Sequence, residues 1–408
     1  MMREAAAQIA IIGAGASGLI AAVTASGKHS HSVLLLEKNA RVGRKLLATG
    51  NGRCNLLNTR IDDKKYHGSG KNTALALLMR IPPAAVMRTF ENMGLALREE
   101  SDGRVYPFSG LANSVLDTLR LACDAHGVQT RCGAEVKKIQ CVDGMFRVYI
   151  NMDETILVHR VIVAAGGKAA PVFGSDGSAY ALLESLGHTV RAAFPALSPL
   201  KIPVEHIRGL KGIRLHASLT LSADGKTLRQ AEGELLFTEY GVSGIAAMQL
   251  SRFVKKGSVL TIHLMSEAAA AVQIKLRLSL FDGQSMENFF TGLFHKRVSL
   301  SLLREAGIPP SEPVSETGAR RLLPLLINWR LPVLSALSFQ HAQVTAGGAM
   351  TDEFNGQTLE SLRIPGLYAC GEAMDVDGDC GGYNLLWAWI SGITAGEAAA
   401  RSLPEGAA

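Results

Sequence analysis

The sequence has little charge, few aromatic side chains and little cysteine. Of its 408 residues, 19% are charged and 6% are aromatic, whereas 47% are hydrophobic. This high apolar share excludes an intrinsically disordered chain, and the length suggests two or three domains. The six cysteines form no CxxC pair and are too few for a disulfide scaffold. We therefore expect reduced thiols in a cytoplasmic protein.

Long runs of one charge are also missing. The net charge is +6, but no stretch of five or more cations occurs, and the densest basic patches, 41–45 and 252–256, are short. This dispersal argues against a nucleic-acid partner. Residues 5–27 carry no charge, yet the three glycines in their middle make a poor signal peptide or membrane span. We expect no membrane partner and no metal site.

Glycine, in contrast, is abundant, with 42 residues where an average composition would give roughly 29. Gly13, Gly15 and Gly18 form a GxGxxG fingerprint between the β-branched run 8–12 and the helix-forming run 19–25. In this motif the first glycine allows a tight turn, the second leaves room for a pyrophosphate and the third lets helix and strand pack closely. The helix N-terminus then faces the phosphates. The pattern predicts a dinucleotide site.

The end of the next apolar run narrows the choice of nucleotide. Residues 32–36 predict a second strand, and Glu37 follows it about 20 residues after the fingerprint, as in known dinucleotide folds. A carboxylate at this point accepts both ribose hydroxyls of an adenosine and disfavours a 2′-phosphate. The sequence therefore predicts FAD or NAD rather than NADP.

Four more glycine-rich segments favour FAD over NAD. The loop 41–55 combines glycines, cations and amides, as expected for a polar loop around an anionic ligand. The predicted strand 161–165 ends at paired glycines, the segment 366–372 repeats this pattern, and the helix predicted for 383–399 opens after two further glycines. These junctions converge on one large nucleotide. The cations of the loop are interpreted as phosphate neighbours; they are Arg41, Arg44, Lys45 and Arg53.

Five blocks of the sequence resemble a known protein family more specifically than the GxGxxG fingerprint does. They are the fingerprint with its terminal Glu37, GRKLLATGNGRCN at 43–55, the AAGG strand end at 164–167, GELLFTEYGVSG at 233–244 and GLYACGEAMDVDGDCGGYNLLWAW at 366–389. Together they resemble the BaiN-like (YhiN-like) family of FAD-dependent and putative NAD(P)/FAD-dependent oxidoreductases, which also contains aminoacetone oxidases. Asn51 departs from the glycine that is common in the GGGRCN run of this family.

The resemblance implies an α/β fold with a discontinuous, Rossmann-like FAD-binding domain of the glutathione-reductase type. The expected parts are the first part of the FAD-binding domain (1–190), an inserted β-rich, β-barrel-like substrate or cap domain (191–264), an inserted helical subdomain with a return to the cap (265–339) and the second part of the FAD-binding domain (340–408). In such folds the backbone at Val136 contacts the adenine, and the helix after Gly382 points at the flavin ring.

The alternation of apolar residues predicts several elements. A β-meander is expected at 134–139, 146–150 and 156–158, ahead of a separate strand that begins at residue 161. In the insertion, 285–294 and 316–328 are expected to be helices.

The predicted cofactor-binding residues all lie in these motifs. They are Gly13, Gly15, Ala16, Ser17, Gly18, Glu37, Lys38, Arg44, Lys45, Gly50, Asn51, Gly52, Arg53, Cys54, Asn55, Val136, Ala165, Gly166, Gly371, Glu372, Gly382, Tyr383 and Asn384. No catalytic acid or base is named. No redox or catalytic role is assigned to Cys54, Cys380, His341, Tyr106 or Tyr240, which are interpreted as packing or loop residues.

The leading functional hypothesis is an FAD-dependent oxidoreductase that moves hydride between non-covalently bound flavin and a small organic substrate. O₂ or NAD(P)H would be the redox partner. No second GxGxxG follows a strand, so NAD(P)H would visit the flavin transiently. A tRNA-modifying flavoprotein, supported by the basic charge alone, and a non-enzymatic flavin-binding protein are the alternatives. Substrate choice is expected to reside in the inserted domain.

Overall fold

The computed structural model describes residues 7–27 and 31–403. The outer ends of the predicted FAD-binding domain, 1–6 and 404–408, lie outside the described residues. The chain forms two compact units. The first combines Met1–Phe194 with Val344–Ala408, and the second is Pro195–Gln343. One unit is therefore assembled from two distant stretches of sequence, and the other is an insertion between them.

A largely parallel sheet forms the centre of the first unit. The strands of this unit are β1 (Ala7–Ile12), β2 (Val33–Glu37), β3 (Leu57–Asn58), β4 (Tyr66–His67), β5 (Leu97–Glu99), β6 (Arg104–Pro107), β7 (Gln129–Cys132), β8 (Val136–Val142), β9 (Met145–Ile150), β10 (Glu154–Val163), β11 (Val190–Ala196), β19 (Val344–Ala349), β20 (Leu367–Ala369) and β21 (Asp377–Gly378). The sheet order is β7-β2-β1-β10-β9-β8, and β20 also pairs with β10. β1 and β2 consist almost entirely of buried residues, as in parallel strands that helices cover on both faces.

Helices cover this sheet, and two of them are in backbone contact. The helices of the unit are α1 (Ala16–Gly27), α2 (Arg44–Ala48), α3 (Lys71–Arg80), α4 (Pro83–Asn92), α5 (Ala112–Ala125), α6 (Ser178–Ser185) and α12 (Tyr383–Arg401). A Cβ on Gly392 of α12 would lie 2.5 Å from the Ser17 carbonyl oxygen of α1, so only glycine permits this packing. Among the described residues, no helix is both long enough and apolar enough to cross a membrane.

The inserted unit has its own sheet and core. Its strands are β12 (Leu200–Lys201), β13 (Arg214–Ala223), β14 (Lys226–Phe237), β15 (Gly241–Ser243), β16 (Val259–His263), β17 (Trp329–Pro332) and β18 (Ser335–Ala336), in the order β17-β16-β13-β14-β15-β12-β18. Its helices are α7 (Val204–Ile207), α8 (Ile245–Leu250), α9 (Glu267–Leu280), α10 (Lys296–Glu305) and α11 (Glu316–Asn328). Phe237 and Trp329, whose ring centroids lie 5.8 Å apart, are fully buried in this core.

The structure corrects two of the predicted elements. The third meander strand and the strand expected from residue 161 are one continuous strand, β10. The helix expected at 285–294 is wrong, because this segment forms turns. Ser285 forms a bridge to Pro313, so the backbone pairs with a distant segment, while Met286, Phe289 and Phe290 are buried at the spacing of one helical face. The helix predicted at 316–328 is confirmed as α11.

A buried histidine joins the two stretches of the first unit. His188 Nδ1 lies 3.0 Å from Glu353 Oε2, and its Nε2 lies 2.9 Å from Ser361 Oγ. Burial opposes ionisation of Glu353, but hydrogen bonds from Arg363 and from the Thr189 N–H outweigh it and lower the pKa of this carboxyl to about 2. Burial also opposes ionisation of His188 and therefore lowers its pKa, although Glu353 acts in the other direction.

These two shifts predict acid sensitivity of the fold. Unfolded His188 takes up a proton below its ordinary pKa of 6.5, and unfolded Glu353 does so below 4.5, before their folded forms do. The free energy of unfolding should therefore fall below pH 6.5 and more steeply below 4.5. Glu353→Gln should lower it by about 2 kcal/mol at pH 7 and flatten the decline below pH 4.5. Urea titrations at several pH values measure both effects; parallel pH curves for the two proteins would contradict the assignment.

Candidate functional site

The GxGxxG turn lies between the end of β1 and the start of α1. Gly13 has φ +100°, and a Cβ there would lie 2.7 Å from the Ala164 carbonyl oxygen. A Cβ on Gly18 would lie 1.8 Å from the Gly13 carbonyl oxygen, whereas one on Gly15 would meet no atom within 4 Å. Two of the glycines are thus required by the fold of the turn. The third borders open space at the N-terminus of α1.

Glu37 is buried at the end of β2, beside this turn. Its Oε2 accepts the Ala14 N–H at 2.9 Å, and its Oε1 accepts the Asn39 backbone N–H at 2.8 Å. The Ala134 N–H donates to the Glu37 carbonyl oxygen at 2.9 Å, which brings the start of β8, and with it Val136, towards the same edge. The carboxylate is therefore held in a fixed orientation at the position expected for ribose recognition.

Two further strand ends bring glycine to this edge of the sheet. Gly166, shortly after β10, has φ +75° and no atom within 4 Å of the place where a Cβ would be. A Cβ on Gly371, after β20, would lie 2.4 Å from Ser17 Oγ in the first turn of α1. Trp387 Nε1 of α12 donates to the Gly371 carbonyl oxygen at 2.9 Å and fixes the junction. The fingerprint, Gly166 and Gly371 are thus brought to one sheet edge.

Glu372 joins three segments through its carboxylate. Its Oε2 lies 2.7 Å from Lys45 Nζ, and its Oε1 accepts the Thr345 N–H at 2.7 Å. The hydroxyl of Thr345 in turn accepts the Lys168 N–H at 2.8 Å. The ion pair is about three-quarters buried, so both charges depend on this geometry. Glu372 therefore holds the 41–55 loop against the strand ends.

Three other cations of the predicted cofactor set contact protein groups in the structure. Lys38 pairs with Asp176 at 2.6 Å. Arg44 donates to the Val172 carbonyl oxygen at 2.8 Å. Arg53 pairs with Glu100 and lies over the Tyr106 ring at 4.2 Å. Contact of these cations with FAD stays a prediction, as does contact of Arg41 with its phosphates.

The start of α12 is the second helix N-terminus of the site. Gly382 has φ +100°, provides no side-chain cap, and no acid stands in the first turn. The Asn55 amide, oriented so that both its ends are satisfied, accepts from Gly382 N at 3.2 Å and donates to the Leu57 carbonyl oxygen. Asn384 Oδ1 accepts the Gly378 N–H at 2.8 Å. The GRCN and GGYN blocks, far apart in sequence, are therefore in direct contact around Tyr383.

The loop at 50–54 is built from left-handed backbone. Gly50, Asn51, Gly52 and Cys54 have φ of 58°, 55°, 83° and 56°. Asparagine tolerates this region better than other residues with a Cβ, so position 51 can adopt it without being glycine.

The same backbone predicts how position 51 responds to substitution. Asn51→Val should lower the free energy of unfolding by about 1–2 kcal/mol, because a β-branched residue is strained at positive φ. Asn51→Gly should be near neutral, since relief of strain is offset by greater freedom of the unfolded chain. Urea unfolding of the three proteins measures this order; equal stability of the valine variant would exclude the left-handed loop.

The other candidate residues have packing surroundings. Burial raises the pKa of both the Cys54 and the Cys380 thiols to about 12, which disfavours the reactive thiolate. Tyr106 is buried beneath Arg53. In the inserted unit, the ring centroids of Tyr240 and His341 lie 5.8 Å apart.

Sequence reasoning missed several residues that shape the site. Thr345 is one of them, and Asn58 is another, since its Nδ2 donates to the Gly381 carbonyl oxygen at 2.8 Å. His67 Nε2 lies 2.8 Å from Asp379 Oδ1, just ahead of the GGYN block. Single polar residues in short strands carry no periodic signal, and only the three-dimensional pairing reveals them.

These features fit FAD. The space beside Gly15 and Gly166 lies at the edge where Glu37 is fixed, which suits the ADP part of a dinucleotide. A second helix N-terminus, at α12, supplies N–H donors and positive potential for another electron-rich group, as the flavin ring requires. Both helix starts lie in the same compact unit.

Comparison with known proteins agrees with this fold. The family model described as HI0933-like protein Rossmann domain matches residues 7–398. A Clostridium scindens protein named 3-dehydro-bile acid delta(4,6)-reductase is 36% identical over 406 residues, which cover 96% of this chain and 99% of that protein. An Escherichia coli protein named ribosomal RNA dihydrouridine synthase is 28% identical over 387 residues, or 93% of this chain and 95% of that one.

A solved structure shows the same fold. The 3-ketosteroid delta1-dehydrogenase from Sterolibacterium denitrificans matches with a TM-score of 0.50 at 13% identity, and the match covers 97% of this chain and 100% of that one. The family match spans nearly the whole chain and confirms the resemblance that the five sequence blocks indicated. The chain belongs to the HI0933-like family of Rossmann-domain proteins.

Proposed function

We propose that this protein is an FAD-dependent reductase that saturates a C=C bond conjugated to a carbonyl group in a small organic molecule. Its coarser class, an FAD-dependent oxidoreductase, is confirmed by the family match and by the relative named as a reductase. The observation that carries the finer proposal is the 36% identity to this reductase over 96% of the chain, with the nucleotide motifs in place.

The two kinds of relative carry names that describe the same type of reaction. A 3-oxo compound with double bonds at positions 4 and 6 has both alkenes conjugated to its carbonyl. The uracil ring that becomes dihydrouridine likewise has its C5=C6 bond conjugated to C4=O. Conjugation makes the far alkene carbon electrophilic, so hydride adds there and a proton adds beside the carbonyl. Reduction of a conjugated alkene is thus the shared chemistry, and the substrate body differs.

FAD, when bound, supplies the hydride. The chain must position the flavin and supply the proton. We propose that the predicted cofactor residues at the sheet edge hold the nucleotide, with Glu372 acting through Lys45 and Thr345 to fix the loop around it. The first-turn amides of α12 would stabilise negative charge on the ring.

His67 is our candidate for the residue that donates the proton. β4 pairs with β21, which places His67 beside the segment that leads into the start of α12. A carboxylate oxygen of Asp379 lies 2.8 Å from Nε2 and orients the imidazole ring. Lys65 Nζ lies 3.4 Å from the other oxygen of Asp379. His67 keeps 15% of its side chain exposed, whereas Asp379 is buried.

NAD(P)H is our proposed hydride donor to the flavin. The chain carries one GxGxxG after a strand, so the nicotinamide would dock transiently rather than in a Rossmann domain of its own. A test supplies the purified protein with NADH or NADPH under nitrogen, and offers a cyclic enone or its non-conjugated isomer. We expect that the enone alone is saturated. Reduction of both alkenes at equal rates, or of neither, would contradict the proposal.

A second candidate, reduction of a base in RNA, is favoured by the distribution of charge. The inserted unit, 195–343, has 17 Lys and Arg against 11 Asp and Glu, a net charge of +6. The first unit has 25 of each and is neutral, so the whole surplus of the chain lies in the insertion. Binding of an RNA oligonucleotide that weakens steeply between 50 and 200 mM salt would support this candidate, and binding insensitive to salt would exclude it.

A further inference from the structure

A cleft in the first unit is lined in part by the 41–55 loop and extends beyond it to α5 and β7. It has a volume of about 830 Å³ and opens between α2, α5 and β7. Arg44 is the one residue that it shares with the predicted cofactor set. The volume lies within the range of pockets that bind small molecules.

The lining of the cleft combines apolar and charged residues. Its apolar residues include Leu19, Val42, Leu47, Leu116 and Phe173, of which the first is almost fully buried. Such a surface suits a hydrophobic ligand body.

Three arginines outnumber the two carboxylates in the lining. Arg41 is exposed, and no ion pair of this residue occurs among the described residues. Arg120 reaches its nearest carboxylate, Asp117, only at 3.4 Å. Arg44 is held by Asn39 Oδ1 at 2.9 Å and by the Val172 carbonyl oxygen, so its guanidinium is pre-positioned. The excess of guanidinium groups favours an anion.

We propose that this cleft is a second ligand site, for a small anion with an apolar body such as an aromatic or alicyclic carboxylate or sulfonate. The apolar lining would take up the body, and Arg120 and Arg41 would bind the acidic group, which replaces the predicted role of Arg41 beside the FAD phosphates. The site is independent of the reaction proposed above, since it uses neither His67 nor the start of α12.

The cleft is coupled to the dinucleotide turn through short contacts. The Gly43 N–H donates to the Ala14 carbonyl oxygen at 2.9 Å, and Ala14 N–H is bound by Glu37. A Cβ on Gly43 would lie 2.4 Å from Leu116 Cδ1, so the loop packs tightly on α5. A ligand that displaces Leu116 or Leu47 must therefore move the loop that carries Gly43. Occupancy of the cleft should change FAD affinity, and FAD should change ligand affinity by the same factor.

The test uses 8-anilinonaphthalene-1-sulfonate as probe and the FAD-loaded, oxidised protein. Fluorescence titration should show one saturable site. The double variant Arg41→Gln/Arg120→Gln should weaken it about tenfold, and Ala48→Phe, which fills the cleft from its exposed side, should abolish it. The control Arg88→Gln/Arg330→Gln, which removes two exposed arginines of other elements, should change affinity less than about twofold.

The reciprocal titration completes the experiment. Saturating probe should change the affinity for FAD by a certain factor. Bound FAD should change the affinity for the probe by the same factor. The proposal is overturned if the cleft variants bind the probe as the wild type does, or if FAD displaces the probe completely, because the cleft would then belong to the cofactor site. Neither readout depends on turnover, so failure of the proposed reaction would leave this result unaffected.

Discussion

Gly15→Ala is expected to weaken FAD binding by about 100-fold without unfolding the protein. A Cβ at this position meets no protein atom within 4 Å, so the apo-protein should accept the methyl group. The methyl group would occupy the space proposed for the pyrophosphate, and overpacking of such a contact costs about 1–3 kcal/mol. Isothermal titration of the apo-protein with FAD measures the affinity, and urea unfolding without FAD measures the stability.

Two other glycines serve as controls for this experiment. Gly356 also has no atom within 4 Å of a built Cβ, but it lies in an exposed loop away from the fingerprint, so Gly356→Ala should change neither quantity. Gly18→Ala should destabilise the apo-protein itself, because its Cβ would lie 1.8 Å from the Gly13 carbonyl oxygen. Full FAD affinity in Gly15→Ala would exclude the proposed position of the phosphates.

His67→Gln is expected to slow reduction of the substrate about 100-fold while flavin reduction by NAD(P)H stays near its wild-type rate. General acid catalysis contributes about 10²–10⁴-fold, and glutamine keeps a similar polar volume but cannot deliver a proton. A rapid-mixing experiment follows the reduction of the flavin by NAD(P)H and the reduction of the substrate by the flavin separately. The solvent deuterium isotope effect on substrate reduction should also change, which loss of packing alone would not cause.

Matched variants separate proton delivery from structure. His159→Gln on β10 should leave both half-reactions unchanged. Asp379→Asn should slow substrate reduction less than loss of the imidazole does, because it disturbs the orientation of the ring and leaves the ring in place. A His67→Gln protein that reduces the substrate within about twofold of the wild-type rate would remove His67 from the mechanism.

Local constraints made the nucleotide turn predictable from sequence. Gly13 and Gly18 are required by contacts within a few residues of the turn or with the adjacent strand, and Glu37 ends the next strand. Such requirements leave a fixed spacing in the sequence. The family resemblance added the GRCN and GGYN blocks, which the structure brings into contact through Asn55 and Gly382.

Long-range pairing placed the residues that sequence reasoning missed. β4 and β21 lie about three hundred residues apart in the chain, and only their two-residue ladder sets His67 beside Asp379. The wrong helix at 285–294 has a related cause, since a bridge to Pro313 overrides the local apolar spacing. The loop cations were interpreted by charge alone, whereas the direction of each side chain depends on a partner such as Glu372 or Glu100.

A single turnover with the reduced protein tests the proposed reduction of a conjugated alkene most directly. The flavin is reduced photochemically under nitrogen, excess reductant is absent, and a 3-oxo-4,6-diene steroid is added while flavin absorbance is followed. We expect that the flavin reoxidises and that one equivalent of alkene is saturated per flavin, whereas a steroid with an isolated alkene leaves the flavin reduced. A flavin that stays reduced with every conjugated alkene offered, a uracil-containing RNA included, and reoxidises only with O₂ would contradict the proposed function.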